Sequence, residues 1–154
     1  QGPKSNGFIR GILDAGLRHH PSRLIALNTQ YYDGTNANRA EAAGKFEYLW
    51  KSSHRPTALI IDSQDTAFAL INCIHELEIS IPKDLSVISY DDIPELSIYQ
   101  VPLTTCGPSI QDIVRTVLDL YEDYYQNRLE NRSVCQTILP QLIVRDSTCP
   151  PWQK

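Results

Sequence analysis

Two polar clusters follow aliphatic runs and are the places where this chain could do chemistry. The first is Asp62-Ser63-Gln64-Asp65, directly after Leu59-Ile60-Ile61. The second is Tyr90-Asp91-Asp92-Ile93-Pro94, after Leu85-Ser86-Val87-Ile88-Ser89. In an open parallel sheet, ligands bind beyond the carboxyl ends of the strands, so both clusters fall where a polyhydroxylated molecule would meet hydrogen-bonding groups. The first also opens a helix, and Ser63 serves equally well as a plain N-cap. In the second, adjacent carboxylates leaving a strand point to opposite sides, so at most one faces a cleft. Asp before Ile-Pro is also ordinary turn chemistry.

Other combinations are poorer. His19-His20 reads as a surface pair. Cys73 and His75 are two apart on a helix and cannot chelate together. Cys73, Cys106, Cys135 and Cys149 form no CxxC pair, which disfavours zinc and fits four free thiols in a reducing compartment. Asn131-Arg132-Ser133 matches a glycosylation sequon, a tripeptide common by chance. No GxSxG, P-loop or GxGxxG motif occurs, and no nucleophile–base set is evident. The pattern favours binding over catalysis, with no cofactor and no metal.

The elements that must position these clusters alternate between helix and short strand. Phe8, Ile9, Ile12 and Leu13 form a helical stripe that stops at Gly16 with Leu17 after it, a C-terminal glycine signal. Leu24–Leu27 is a short apolar run expected as a buried strand. A helix is expected from about Asn38 to Ser52, carrying Ala42, Phe46, Leu49 and Trp50. Thr57–Ile61 and Leu85–Tyr90 read as buried parallel strands, and Ala67, Leu70, Ile71, Ile74 and Leu77 mark a helix between them. Ser109 and Asp112 suggest a capping box for a long helix striped by Ile110, Ile113, Val114, Val117, Leu118, Tyr121 and Tyr124. Short strands are expected at Ile138–Pro140 and Leu142–Val144. This alternation predicts an α/β fold with three layers around a parallel sheet.

Composition bounds the reading. The chain of 154 residues is 42% hydrophobic and 21% charged, which can support a core. Its net charge of −4 and the absence of a Lys/Arg cluster argue against a nucleic-acid face on this chain. No apolar run approaches the length of a membrane span. The chain opens Gln1-Gly2-Pro3 with a helix soon after, and is expected to be a fragment of a longer protein.

The order Arg55-Pro56-Thr57-Ala58, then Ile81-Pro82-Lys83-Asp84-Leu85 through Tyr90-Asp91-Asp92, then Pro102-Leu103-Thr104-Thr105, resembles the lactose/galactose repressor family. Leu139-Pro140-Gln141-Leu142-Ile143-Val144-Arg145-Asp146-Ser147-Thr148 is similar to that family's closing strands, and Gly7-Phe8 and Asp14–Leu17 also fit. The resemblance implies the effector-sensing, dimerising part of a cytoplasmic transcription regulator, with a two-lobed periplasmic-binding-protein-like (type I) fold, incomplete at the N-terminus. Residues 1–108 would be the second lobe, 109–140 would return to the first lobe, and 141–154 would close the second. DNA would be bound only through a helix-turn-helix absent from this chain.

By the same resemblance Asp91 matches the aspartate that binds effector hydroxyls. Lys4 stands where relatives usually carry Arg, Ser63-Gln64 replace Asn-Asp, and Pro108 replaces a frequent Gln. An aromatic that stacks on the ligand would lie among Tyr31 and Tyr32, and dimer contacts map to Phe68, Ile98 and Tyr99. The implied ligand is a sugar or related small polar molecule, sugar- or nucleoside-like. A periplasmic sugar-binding protein of a transporter shares the fold and is the alternative. An α/β enzyme using Asp91 or Asp92 as a base is a third reading.

Overall fold

The computed structural model describes residues 2–27, 36–126, 128 and 134–150. Helices α1 (Pro3–Asp14), α2 (Asn36–Trp50), α3 (Gln64–Glu76), α4 (Pro94–Ser97) and α5 (Ile110–Tyr125) alternate with strands β1 (Ala58–Ile61), β2 (Ser86–Asp92), β3 (Thr104–Ser109) and β4 (Gln141–Ile143). The sheet runs in the order β1-β2-β3-β4. β1, β2 and β3 are parallel, and β4 joins β3 antiparallel. This is an α/β unit with a parallel-dominated sheet.

Local chemistry sets the element ends. The α1 helix stops in a Schellman geometry: Leu17 N–H donates to the Ile12 carbonyl at 3.0 Å and Gly16 N–H to Leu13 at 2.9 Å. Gly16 takes the required left-handed backbone, with φ of 71°. Ser63 caps α3 and Ser109 caps α5, its hydroxyl accepting from Asp112 N–H at 3.0 Å.

The core lies between one face of the sheet and helices α2 and α3. Ile61, Leu85 and Val87 meet Phe46, Ala67, Leu70, Ile71 and Ile74 there, all buried. Ile60, one residue along β1 and so on the opposite face, is 55% exposed. Helix α5 buries none of its residues, and Val117, Leu118, Tyr121 and Tyr124 are all exposed. This apolar stripe has no partner among the described residues.

Two expected strands are corrected. Leu24–Leu27 follows a 3-10 turn at Pro21–Arg23 and pairs with no strand among the described residues, although Leu27 packs against the core. A short apolar run becomes a strand only beside a neighbour with a free edge. Ile138–Pro140 is likewise not a strand, and the closing pair is made by Gln141–Ile143 alone. Conversely β3 went unread, because Thr-Thr-Cys-Gly-Pro-Ser offers neither an aliphatic run nor alternation.

The segment after β4 stitches the parallel pair together at its amino ends. Ser147, fully buried, donates its hydroxyl to the Val87 carbonyl at 2.6 Å and accepts from Thr104 N–H at 2.7 Å. Val87 N–H donates to the Ser147 carbonyl at 2.9 Å. Removing that hydroxyl strands a buried donor and a buried acceptor. Ser147→Ala is therefore expected to lower the unfolding free energy by about 1–3 kcal/mol, read from urea unfolding; an unchanged midpoint would contradict the stitching.

Candidate functional site

Asp91 and Asp92 leave β2 together and have opposite fates. Asp92 is tied down: its Oδ1 accepts from Arg145 Nη2 at 2.7 Å and from the Thr105 hydroxyl at 2.8 Å. Arg145 also donates to the Leu103 carbonyl at 2.7 Å and to Thr105 Oγ1 at 3.1 Å. Both partners of the ion pair retain only 19% of their side-chain exposure. Such a largely desolvated, multiply bonded pair holds strands together and has little left for a ligand. The Asp91 carboxylate, half-buried, makes no side-chain hydrogen bond or ion pair among the described residues.

Asp91 is also held in an unusual backbone. Its φ is 68°, in the left-handed region that side-chain-bearing residues seldom occupy. The β2–β3 register explains how it is held. Tyr90 pairs with Cys106 and Asp92 with Ser109, so β3 spends three steps where β2 spends two. The extra residue falls at Gly107-Pro108, and a proline, lacking an N–H, is tolerated at such a bulge. Gly107 lies so close that a Cβ there would sit 2.9 Å from Asp91 Cα. Only glycine fits beneath that carboxylate.

Around Asp91 the other carboxyl ends converge. Lys4, near the start of α1, donates its Nζ to the Asp62 carbonyl at 2.7 Å and lies 4.0 Å from the centre of the Tyr90 ring. An ammonium over an aromatic face is an attractive pairing, strengthened as water is excluded. Lys4 thus joins the ends of β1 and β2 and places a cation next to the residue before Asp91. The arrangement offers a free acceptor, an aromatic face and a cation with donors to spare, a set suited to hydroxyl-bearing ligands.

The remaining expected site residues fall as follows. Ser63 is buried, its hydroxyl donating to Thr66 Oγ1 at 2.8 Å and accepting from Thr66 N–H at 3.4 Å, so it is engaged in capping. Gln64 opens α3 and is exposed. Tyr31 and Tyr32 lie outside the described residues. Pro108 sits in the bulge. Phe68 and Tyr99 are half-buried against the core, while Ile98 is 82% exposed. Burial pushes the Tyr99 phenol above its ordinary pKa. Burial, with Glu47 and Glu76 nearby, raises the Cys73 thiol against a smaller opposing effect of Lys51, which makes it a poor nucleophile. Among the described residues no group of three His, Cys, Asp or Glu side chains could hold a metal ion. None of their helices is long and apolar enough to cross a membrane. Arg145 and Thr105 were missed by sequence reasoning, since nothing local marks a residue 53 positions from its partner.

The family model for the periplasmic binding protein-like domain matches residues 4–148. The chain belongs to that family, and the relatives it matches are regulators of the lactose/galactose repressor type. It is 28% identical over 154 residues to an arabinose metabolism transcriptional repressor of Halalkalibacterium halodurans, covering 96% of this chain and 40% of the relative. It is 29% identical over 147 residues to the HTH-type transcriptional repressor PurR of Glaesserella parasuis, covering 92% and 41%. Among solved structures it resembles a LacI family regulator of Sanguibacter keddieii, with TM-score 0.71, 19% identity and coverage of 92% and 51%. A LacI family regulator of Lactobacillus casei with bound sucrose gives TM-score 0.68 at 19% identity, covering 93% and 50%. The chain thus spans about two-fifths of the curated relatives and half of the solved chains. The two curated relatives are named as transcriptional repressors and the two solved structures as LacI family transcriptional regulators, none of them as an enzyme.

The strained backbone yields a direct test. Asp91→Gly removes the side chain but suits the left-handed conformation, and should change stability by no more than about 1 kcal/mol. Asp91→Val, β-branched, should cost about 1–3 kcal/mol. Equal unfolding midpoints for the two variants would contradict a left-handed Asp91.

Proposed function

We propose that the intact protein is a cytoplasmic transcription regulator whose effector, a sugar or related small polar molecule, is bound by Asp91 in a cleft between two lobes. The observation that carries this reading is the Asp91 carboxylate, without a side-chain partner among the described residues and held at φ 68° beside the Lys4–Tyr90 contact at the carboxyl end of the sheet. Lys4 gives charge without the planar fork of an arginine. Gln64, exposed at the start of α3, is assigned to the same site, and Tyr32 is the aromatic assigned to stack on the ligand. A repressor named for arabinose metabolism, and solved regulators with sucrose, glucose and cellobiose, support a sugar. The repressor names favour a regulator over a periplasmic transport protein.

In this reading residues 1–108 and 141–154 build the second lobe, and 109–140 return to the first. The exposed stripe of α5 supports that division, because an apolar face of this size needs a covering surface. DNA is bound by a helix-turn-helix elsewhere in the protein, and effector binding biases two states of a homodimer with different affinity for DNA. Phe68, Ile98 and Tyr99 form the dimer contact; of these Ile98 is the side chain left free of the chain's own core.

A thermal-shift screen of the intact protein against arabinose, glucose, sucrose and cellobiose is expected to find a sugar that raises the melting temperature, since a ligand at a hundred times its Kd stabilises the native state by about 2.7 kcal/mol. Asp91→Gly should melt near the parent and lose that shift. A shift retained in the variant would refute the assignment. For the dimer, Ile98→Asp should move the sedimentation equilibrium toward monomer at micromolar concentration, and an unaltered dimer would exclude this face.

A further inference from the structure

Asp91 occupies a left-handed backbone conformation, and for a residue with a side chain such a conformation persists only where its surroundings over-determine it. The residues on either side of it are fixed by different means. Tyr90 is held by its register with Cys106. Asp92 is held by the side chains of Arg145 and Thr105, at 2.7 and 2.8 Å. The Gly107 backbone packs so closely that a Cβ there would sit 2.9 Å from Asp91 Cα and 3.0 Å from its N.

Arg145 is itself immobilised from three sides. Its backbone N–H donates to Thr104 Oγ1 at 3.0 Å, and its guanidinium reaches the Leu103 carbonyl, Thr105 and Asp92 together. It therefore ties the start of β3 to the end of β2 from a strand–tail segment that touches neither Lys4 nor Tyr90 in any hydrogen bond or ring contact. Were Asp92 released, the bulge would lose one of its two anchors. Asp91 would then relax toward extended backbone, and its carboxylate would turn to another side of the strand.

We propose that Arg145 is a positioning residue, which through Asp92 holds Asp91 in its left-handed backbone and so aims the carboxylate into the ligand site. The proposal rests on the reading of Asp91 as the effector-binding group, but its geometry can be tested without any ligand. In the intact protein labelled with nitrogen-15, the Asp91 backbone coupling reports its φ, and chemical unfolding reports stability in parallel. Arg145→Gln and Asp92→Asn are expected to shift the Asp91 coupling from its left-handed to an extended value, and Arg145→Lys to retain it in part. Gly107→Ala, which intrudes from the other side, is expected to displace the same residue. If Arg145→Gln does not fold, Thr105→Val, which removes only one of the two donors to Asp92, carries the comparison. Variants that fold with an unchanged Asp91 coupling, however destabilised, would make the ion pair a strand tie only and overturn the proposal. Failure of Asp91→Gly to abolish a sugar-induced thermal shift would instead sink the reading of Asp91 as ligand group, while leaving the coupling result intact.

Discussion

A buried hydroxyl carries much of the organisation of this sheet. Ser147 Oγ sits between the Val87 carbonyl and the Thr104 amide, joining parallel strands where their ladder has not yet begun, since their first register pair is Ile88 with Thr104. Parallel neighbours are connected only by long crossovers, so nothing local holds their amino ends together. The segment Arg145–Cys149 supplies what the crossover does not. Its far end is tied by the Cys149 amide to the Ser86 hydroxyl at 3.1 Å, and its near end by the Arg145 guanidinium to Asp92. A stretch of five residues thereby fixes both ends of β2.

The division of labour between Asp91 and Asp92 follows from that fastening. Two adjacent carboxylates cannot both face one side of a strand, and here one is bonded inward while the other is left unpaired over Gly107. A bulge on β3 supplies the mismatch that turns Asp91 out of the ordinary pleat. Next to this left-handed residue, the bonds to Asp92 gain strength because the ion pair is largely removed from water. The carboxylate without a side-chain partner among the described residues and the structural one are thus neighbours in sequence.

Much of the fold was legible. The glycine stop at Gly16, the caps at Ser63 and Ser109 and the aliphatic runs of β1 and β2 are local signals, and local signals survive folding. The Asp91/Asp92 argument needed only the period of a strand to say that one at most faces a cleft. It could not say which, because the answer depends on Arg145 and Thr105, brought close only by the sheet. β3 was hidden because its strand character comes from its neighbours, with Thr104 and Thr105 buried by tertiary bonds rather than by hydrophobicity. Leu24–Leu27 failed in the opposite sense: the residues suit a strand, but no described strand lies beside them. Lys4 was reached through family resemblance alone, and its contact with Tyr90 spans the chain from its first helix to its second strand.

The central claim is that ligand acts at the carboxyl end of a sheet whose β2–β3 junction is already fixed. Hydrogen–deuterium exchange on the intact protein, with and without a sugar that shifts its melting, tests it most directly. The account predicts slow exchange at Val87 and Thr104 in both states, with new protection on binding at residues 62–64 and 90–92. Protection arising instead at β4 or along α5, with 90–92 unchanged, would contradict it.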